Sequence, residues 1–127
     1  MNAKYTLVLA MLAGVGIGVT ANQALHAQAK PPAYAVVELD VQNPDEFRKE
    51  FLPRVSKVFS DAGGKFLARP GNATAIDGTA PNRVAVIAFA SLDTAVTTFN
   101  STAYKDARKI GDKYAKFRIF AVEGLAP

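Results

Sequence analysis

The sequence predicts an α+β domain with the ferredoxin-like order β-α-β-β-α-β, a four-stranded antiparallel sheet with the helices on one face. Three observations support this prediction. Residues 34–41 alternate with the period of two that is typical of a strand. Phe47, Phe51 and Val55 recur at the spacing of a helix. Residues 83–90 are apolar on both faces, as in a central strand.

The first strand and the first helix have clear boundaries in the sequence. One face of residues 34–41 is apolar throughout, so we expect it to meet the helices. Asn43 and Pro44 are a helix cap followed by proline in the first turn, and Gly63-Gly64 ends the helix. Pro53 lies inside the run and lacks a backbone N–H, which predicts a kink.

The second half of the chain repeats the alternation of strand and helix. Residues 65–69 form the predicted second strand, Pro70-Gly71-Asn72 breaks it, and residues 73–77 resume it as a short piece. Ser91 caps a helix that Asn100-Ser101 interrupts, and Ser101 caps the next one. Residues 117–123 are the last predicted strand.

This arrangement leaves one face of the sheet without helices. We expect Tyr34, Val36, Ile87 and Phe89 on that face, which makes part of it too apolar to remain in water. Two such sheets packed face to face would cover each other. The sequence therefore predicts a symmetric homodimer with a barrel-like interior.

The composition excludes several classes of chemistry. The chain of 127 residues has no cysteine and one histidine, His26, with a net charge of +4. Without cysteine there is no disulfide framework, thiolate metal site or cysteine nucleophile. Removal of His26 with the leader would also exclude a histidine-based triad. We therefore expect no metal and no cofactor.

The first 29 residues read as a secretory signal peptide. Lys4 precedes an apolar run over residues 7–19, and Ala27-Gln28-Ala29 is a small-x-small cleavage pattern. The alternative is a retained membrane anchor, but this run spans only about 20 Å of a hydrocarbon core about 30 Å thick. We expect cleavage after Ala29, a proline-rich spacer over residues 30–33 and one domain over residues 34–127. The mature protein is then periplasmic or secreted and contacts a membrane only transiently, through its leader.

Several segments in order resemble one bacterial family. They are YAVVE at 34–38, NPDEF at 43–47, GGKFLAR at 63–69, RVAVIAFAS at 83–91, STAY at 101–104 and VEG at 122–124. Together they resemble the domain-of-unknown-function family 1330, in its exported branch, within the dimeric α+β barrel superfamily. The resemblance implies the fold and a homodimer, and it implies no reaction. Pro70 and Asp77 depart from the Arg-Gly-Gly and Glu-Gly that the family often has there.

Polar residues on or beside the strands are the first candidate site. They are Glu38, Arg69, Asp77, Arg83 and Glu123. Pairs of carboxylate and guanidinium groups inside a dimer could bind a polar ligand. The alternative is a rim of ion pairs that fixes the dimer register.

Two helical motifs are further candidates. Ser101 and Tyr104 could place two hydroxyl groups at a pocket mouth, or they are a helix cap and an aromatic packed one turn later. Residues 105–118 hold six basic and two acidic residues. They could attract anionic ligands, lipid headgroups or nucleic acid, or they form a solvated helix face. Export argues against a nucleic-acid partner.

Three functions remain open from the sequence. The first is a small, partly apolar ligand held between the two sheets, with Glu38, Arg69, Arg83, Ser101 and Tyr104 as its contacts. The second is a cofactor-free isomerase, lyase or monooxygenase. Its general base would be one of Glu38, Asp40, Asp77 and Tyr104, with Glu38 and Tyr104 ranked first. The third is a purely structural or stress-related dimer.

Overall fold

The computed structural model describes residues 30–127. The predicted signal peptide and its cleavage site lie outside the described residues. One compact unit comprises residues 31–126. No helix in the described part of the chain is long and apolar enough to cross a membrane.

Four antiparallel strands form a single sheet, which confirms the predicted fold class. The strands are β1 (Ala33–Val41), β2 (Lys65–Asn72), β3 (Arg83–Phe89) and β4 (Ala115–Glu123). Their order in the sheet is β2-β3-β1-β4, with β1 paired to both β3 and β4. This is the ferredoxin-like order, in which the first and third strands are central and the other two are edges.

The first helix, α1, changes its hydrogen-bonding pattern before Pro53. It begins as a short α-helix (Pro44–Glu46) capped by the Asn43 side chain, continues as a π-helical segment (Phe47–Phe51) and becomes α-helical again over Leu52–Asp61. Pro53 cannot donate a backbone hydrogen bond, and its ring disfavours the regular carbonyl position one turn earlier. The predicted irregularity is thus a π-helical turn. Gly63, at a φ of 77°, ends the helix.

Strand β2 is longer and less regular than predicted. It runs through Pro70-Gly71 to Asn72, and its pairing with β3 shifts between Phe66 and Ala68 and again between Ala68 and Gly71. Residues 73–77, predicted to resume the strand, have no strand structure. Because β2 is an edge strand, Pro70 costs it little pairing, and the irregularity is absorbed as bulges.

The remaining helices are α2 (Leu92–Asn100) and α3 (Thr102–Gly111), and both begin at the predicted caps. The Ser91 hydroxyl accepts from the backbone N–H of Thr94, and the Ser101 hydroxyl accepts from that of Tyr104. Each cap satisfies one donor that the first helical turn leaves free. Strand β4 begins two residues before its predicted start.

A single hydrophobic core fills the space between the helices and one face of the sheet. Ala35, Val37 and Leu39 of β1 point into it, as predicted. Ile87 and Phe89 of β3 also point into this core and are 0% and 2% exposed, so their predicted place on the uncovered face is wrong. They pair in register with Ala35 and Ala33, which sets their side chains on the helix side.

Candidate functional site

A crevice separates α1 from the edge strand β2. Its volume is about 550 Å³, which is within the usual range of small-molecule sites. One wall is a ridge of α1 in which Arg48, Leu52, Ser56 and Ser60 follow one another at intervals of four residues. The opposite wall is formed by β2. The remaining lining residues are Pro53, Phe59, Gly64, Phe66, Arg69 and Pro70.

Local sequence explains why the crevice is open at this edge. Ser56 and Ser60 are short, so this ridge of α1 leaves room beside the strand. On the facing side, the register shifts before and after Ala68 take β2 out of regular pairing with β3. Gly64 has no side chain to fill the inner end of the crevice. A larger residue would be crowded there, because its Cβ would lie 3.0 Å from both the Phe59 carbonyl oxygen and the Phe89 ring.

A narrow apolar recess lies against the floor of the crevice and reaches into the core. Its free volume is about 20 Å³. Leu52, Phe59, Phe66 and Pro70 line both the crevice and this recess. The Phe59 and Phe66 rings pack edge to face with centroids 5.8 Å apart. The deeper walls of the recess are Val37, Leu39, Phe47, Phe51, Val55, Ala85, Ile87, Tyr104 and Phe117.

The charged groups of the crevice are both cationic. The Arg48 guanidinium pairs with Asp45 at 2.8 Å, and both side chains are largely exposed. Arg69 has no carboxylate partner within the described part of the chain. No carboxylate and no imidazole is among the described residues that line the crevice. The crevice therefore combines an apolar floor with a positive rim, which favours an anion with an apolar body.

The other face of the sheet is uncovered by the helices that the structure describes. Cross-strand neighbours on this face are Tyr34 with Val122 and Val36 with Phe120, and Val36 also pairs with Val86. Phe120 and Val122 are 45% and 54% exposed. We call this surface, together with its charged end, the open face.

The charged end of the open face is internally balanced. Glu38 faces Arg118 across the strands with the nearest charged atoms 3.6 Å apart, and Asp40 faces Lys116. A shallow depression of about 430 Å³ lies there and extends to Pro81 and Asn82. Because each acid of β1 faces a base of β4, this end has no excess of either sign.

The predicted ligand contacts fall into separate places. Glu38 is on the open face, and Arg69 is at the crevice between α1 and β2. Arg83 lies opposite Leu39 and Asn72 in the sheet, so it is on the face that meets the helices. Ser101 is at the junction of α2 and α3. The structure does not bring these residues together, and each predicted ligand contact stays a prediction.

Ser101 and Tyr104 have the structural roles that the sequence offered as an alternative. The Ser101 hydroxyl caps α3 and donates to the Thr98 carbonyl oxygen at 2.6 Å. Tyr104 is 5% exposed and packs its ring against Phe59 and Phe99, with centroids 6.0 and 4.8 Å away. These contacts place both residues in the helical layer, away from the open face.

The Tyr104 hydroxyl lies beside a cation that the core holds in place. The Arg108 guanidinium stacks 4.0 Å above the Phe117 ring and donates to Asp112 at 2.7 Å. Burial raises the pKa of Tyr104 above its ordinary value of 10.0, although the neighbouring Arg108 opposes this rise. The phenol therefore stays protonated at neutral pH, which suits a hydrogen-bond donor and not a general base.

Asp77 and Glu123, the other members of the polar set, belong to neither the crevice nor its recess. Within residues 30–127 no cluster of three or more His, Cys, Asp or Glu side chains could hold a metal ion. The sequence reasoning missed Arg48, Ser56 and Ser60. The available signal was their spacing of four, which sets a polar ridge beside the apolar stripe of α1.

Solved structures of other proteins share this fold, and three of them illustrate the likeness. A protein of unknown function from Rhodopseudomonas palustris is 18% identical, with a TM-score of 0.58 over 77% of this chain and 85% of that one. SnoaB, a cofactor-independent oxygenase from Streptomyces nogalater, is 12% identical, with a TM-score of 0.55 over 75% and 94%. HapK from Hahella chejuensis is 12% identical, with a TM-score of 0.57 over 75% and 94%. None of the curated proteins compared with this sequence matches it.

A family model covers nearly all of the described chain. The model of the domain of unknown function DUF1330 matches residues 32–125, from the residue before β1 to the residues after β4. It spans both walls of the crevice and the whole of the open face. The resemblance seen in the ordered segments of the sequence is confirmed, and the chain belongs to the DUF1330 family.

Proposed function

We propose that this protein is an exported homodimer that binds a small, partly apolar anion in the crevice between α1 and β2. The observation that carries the proposal is the combination of an apolar floor with Arg69, a cation that has no carboxylate partner in the described chain. The crevice, and not the space between two sheets, is the proposed location. The open face has balanced charges, whereas the crevice has an unmatched positive rim.

The physical contributions to binding are separable. Contact with the floor residues Leu52, Phe59 and Phe66 removes apolar ligand surface from water, worth about 25 cal/mol per Å². Arg69 adds a charge-assisted hydrogen bond to an anionic group at the rim. Because Arg69 is exposed, salt screens its contribution much more than it weakens the apolar contact.

Self-association through the open face is the second part of the proposal. It would bury Val36, Val86, Phe120 and Val122 against the same surface of a second copy, in an isologous interface. Export, the third part, rests on the leader sequence alone. A size change that matches cleavage after Ala29, seen by mass spectrometry of the mature protein, would support it.

A matched pair of fluorescent dyes tests the crevice. Anilinonaphthalene sulfonate carries an anionic group, and phenylnaphthylamine is the same skeleton without it. We expect both dyes to bind the dimer, and Arg69→Gln to weaken only the sulfonate, by about threefold to fivefold. The loss should shrink as salt is added. Arg54→Gln, an exposed arginine of α1 that does not line the crevice, is the control and should change neither dye.

Two results would contradict the proposal. Failure of the wild-type protein to bind either dye at micromolar concentration would favour a purely structural dimer. An equal effect of Arg69→Gln on both dyes would mean that this substitution perturbs the fold and that Arg69 does not recognise the anion. Circular dichroism of each variant separates this second case from a local change.

Cofactor-free catalysis is the second candidate function. The oxygenase SnoaB shares the fold, but an identity of 12% supports the fold alone. Among the described residues, neither the crevice nor its recess has a carboxylate or imidazole lining that could act as a base. Glu38 is on the open face, and Tyr104 stays protonated. The geometry therefore supports binding better than proton abstraction.

A further inference from the structure

The recess beneath the crevice is an unfilled gap in the packing of the core, and folding alone does not require such a gap. Its walls are side chains from α1, α3 and all four strands, and Val37 of β1 and Val55 of α1 are among them. A gap of this kind forfeits dispersion contacts on both sides. Leu52, Phe59, Phe66 and Pro70 line both the recess and the crevice, so the two spaces lie next to each other.

The size and polarity of the recess restrict what can enter it. About 20 Å³ of free volume corresponds to a single small group the size of a water molecule or a methyl. Its walls are apolar, so a water molecule would find no hydrogen-bond partners there. An aromatic ring is too large for a free volume of about 20 Å³. The end of an alkyl chain satisfies both restrictions.

We propose that the ligand is an unbranched alkyl carboxylate. Its carboxylate meets Arg69 at the rim, its chain follows the floor past Phe59 and Phe66, and its terminal methyl group occupies the recess beside Val55. This inference rests on the proposed function of the crevice and adds the chemical class of the ligand. It also assigns Val37 and Val55 as residues that determine chain length.

The test is displacement of anilinonaphthalene sulfonate by hexanoate, octanoate, decanoate and dodecanoate. Affinity should rise by up to about fourfold for each methylene group that is fully buried. It should then stop rising at the chain length that fills the recess. Naphthalene carboxylate, which cannot enter, should compete without this dependence.

Adding one methyl group to the wall of the recess is the decisive variant. Val55→Ile fills the space that the chain end would take, so the chains at the plateau should weaken about threefold. Chains several carbons shorter, and naphthalene carboxylate, should be unchanged. Val37→Ile approaches the same space from the sheet and should repeat the result, which guards against a variant that does not fold. Val58→Ile, on α1 but outside the recess lining, is the matched control.

The outcomes distinguish this inference from the proposed function. If the dye does not bind the wild-type protein, both fail. If the dye binds and Arg69→Gln weakens it, but Val55→Ile and Val37→Ile change no chain length selectively, the crevice stands and the alkyl ligand is wrong. Tighter binding of naphthalene carboxylate than of every alkyl carboxylate would also overturn the inference.

Discussion

The crevice and the open face are both partly apolar surfaces bordered by charge, yet their charges are arranged differently. At the crevice, Arg69 has no carboxylate partner among the described residues and the lining holds no acid. At the open face, Glu38 and Asp40 lie across the strands from Arg118 and Lys116. An unmatched charge attracts a ligand of opposite sign, whereas a balanced set is suited to pairing with its own copy.

The same difference applies to shape. The crevice is concave, because short serine side chains on α1 face a bulged edge strand. The open face is a pleated surface of side chains from three neighbouring strands. A concave site encloses most of a small molecule, while an extended surface can be covered only by another extended surface. Charge and shape therefore assign the two regions to different partners.

The largest expected effect comes from a charge placed at the centre of the open face. Val86→Lys on β3 would bury an unpaired ammonium group in the proposed interface, so we expect dimer affinity to fall by more than about a hundredfold. Sedimentation velocity at micromolar concentration measures the change. Dye binding in the crevice should persist in the resulting monomer. Ile76→Lys, in the loop where Ile76 is fully exposed, is the control.

A wild-type chain that sediments as a monomer at the same concentration would remove the dimer from the proposal. If the Val86→Lys variant remains dimeric, the interface must instead lie on another surface. Loss of dye binding together with dissociation would make the two regions interdependent, which would contradict their separate assignment.

The order of elements was predictable because most local signals agree with the fold. The alternation of apolar and polar residues predicts β1, and Ser91 and Ser101 predict where α2 and α3 begin. Neither prediction needs information from residues distant in the sequence. The face to which β3 points was not predictable. Its residues are apolar on both sides, so only the pairing of Ile87 with Ala35 decides which set meets the helices.

The site was less predictable than the fold. Arg69 is a candidate from its place on a predicted strand. The crevice that it borders, however, depends on the bulges of β2, which arise from pairing with β3. Ser56 and Ser60 attract no interest as isolated residues, and they matter because they face that strand. Tyr104 was a candidate from its motif, and only its packing against Phe59 and Phe99 shows its place in the core.

A smaller effect is expected from Tyr104, which tests whether the hydroxyl belongs to the ligand site. Its pKa is raised in the folded state, so the folded protein holds this proton more tightly than the unfolded chain does. Stability from this group is complete below pH 10 and is lost as the pH rises through the folded-state pKa. Tyr104→Phe should remove this alkaline decline, as measured by urea unfolding at several pH values.

Dye binding by Tyr104→Phe should match that of the wild-type protein at neutral pH, since the phenol ring and not the hydroxyl contributes to the recess. The variant should unfold with a free energy about 0.5–1.5 kcal/mol lower, the usual net value of one hydrogen bond, here the one between the Tyr104 hydroxyl and Arg108. A change of tenfold or more in dye affinity would instead place the hydroxyl in the ligand site.

The smallest expected effect comes from Glu38→Gln, and it tests the comparison most directly. Arg118, the partner of Glu38, is 79% exposed, so the pair contributes below about 1 kcal/mol to the unfolding free energy of the Val86→Lys monomer. Dye affinity should not change, because Glu38 belongs to the open face. If Glu38→Gln altered the binding of the sulfonate dye severalfold while leaving the uncharged dye unaffected, the anion would sit near the sheet's charged end. The balanced charges of the open face would then no longer distinguish it from the crevice.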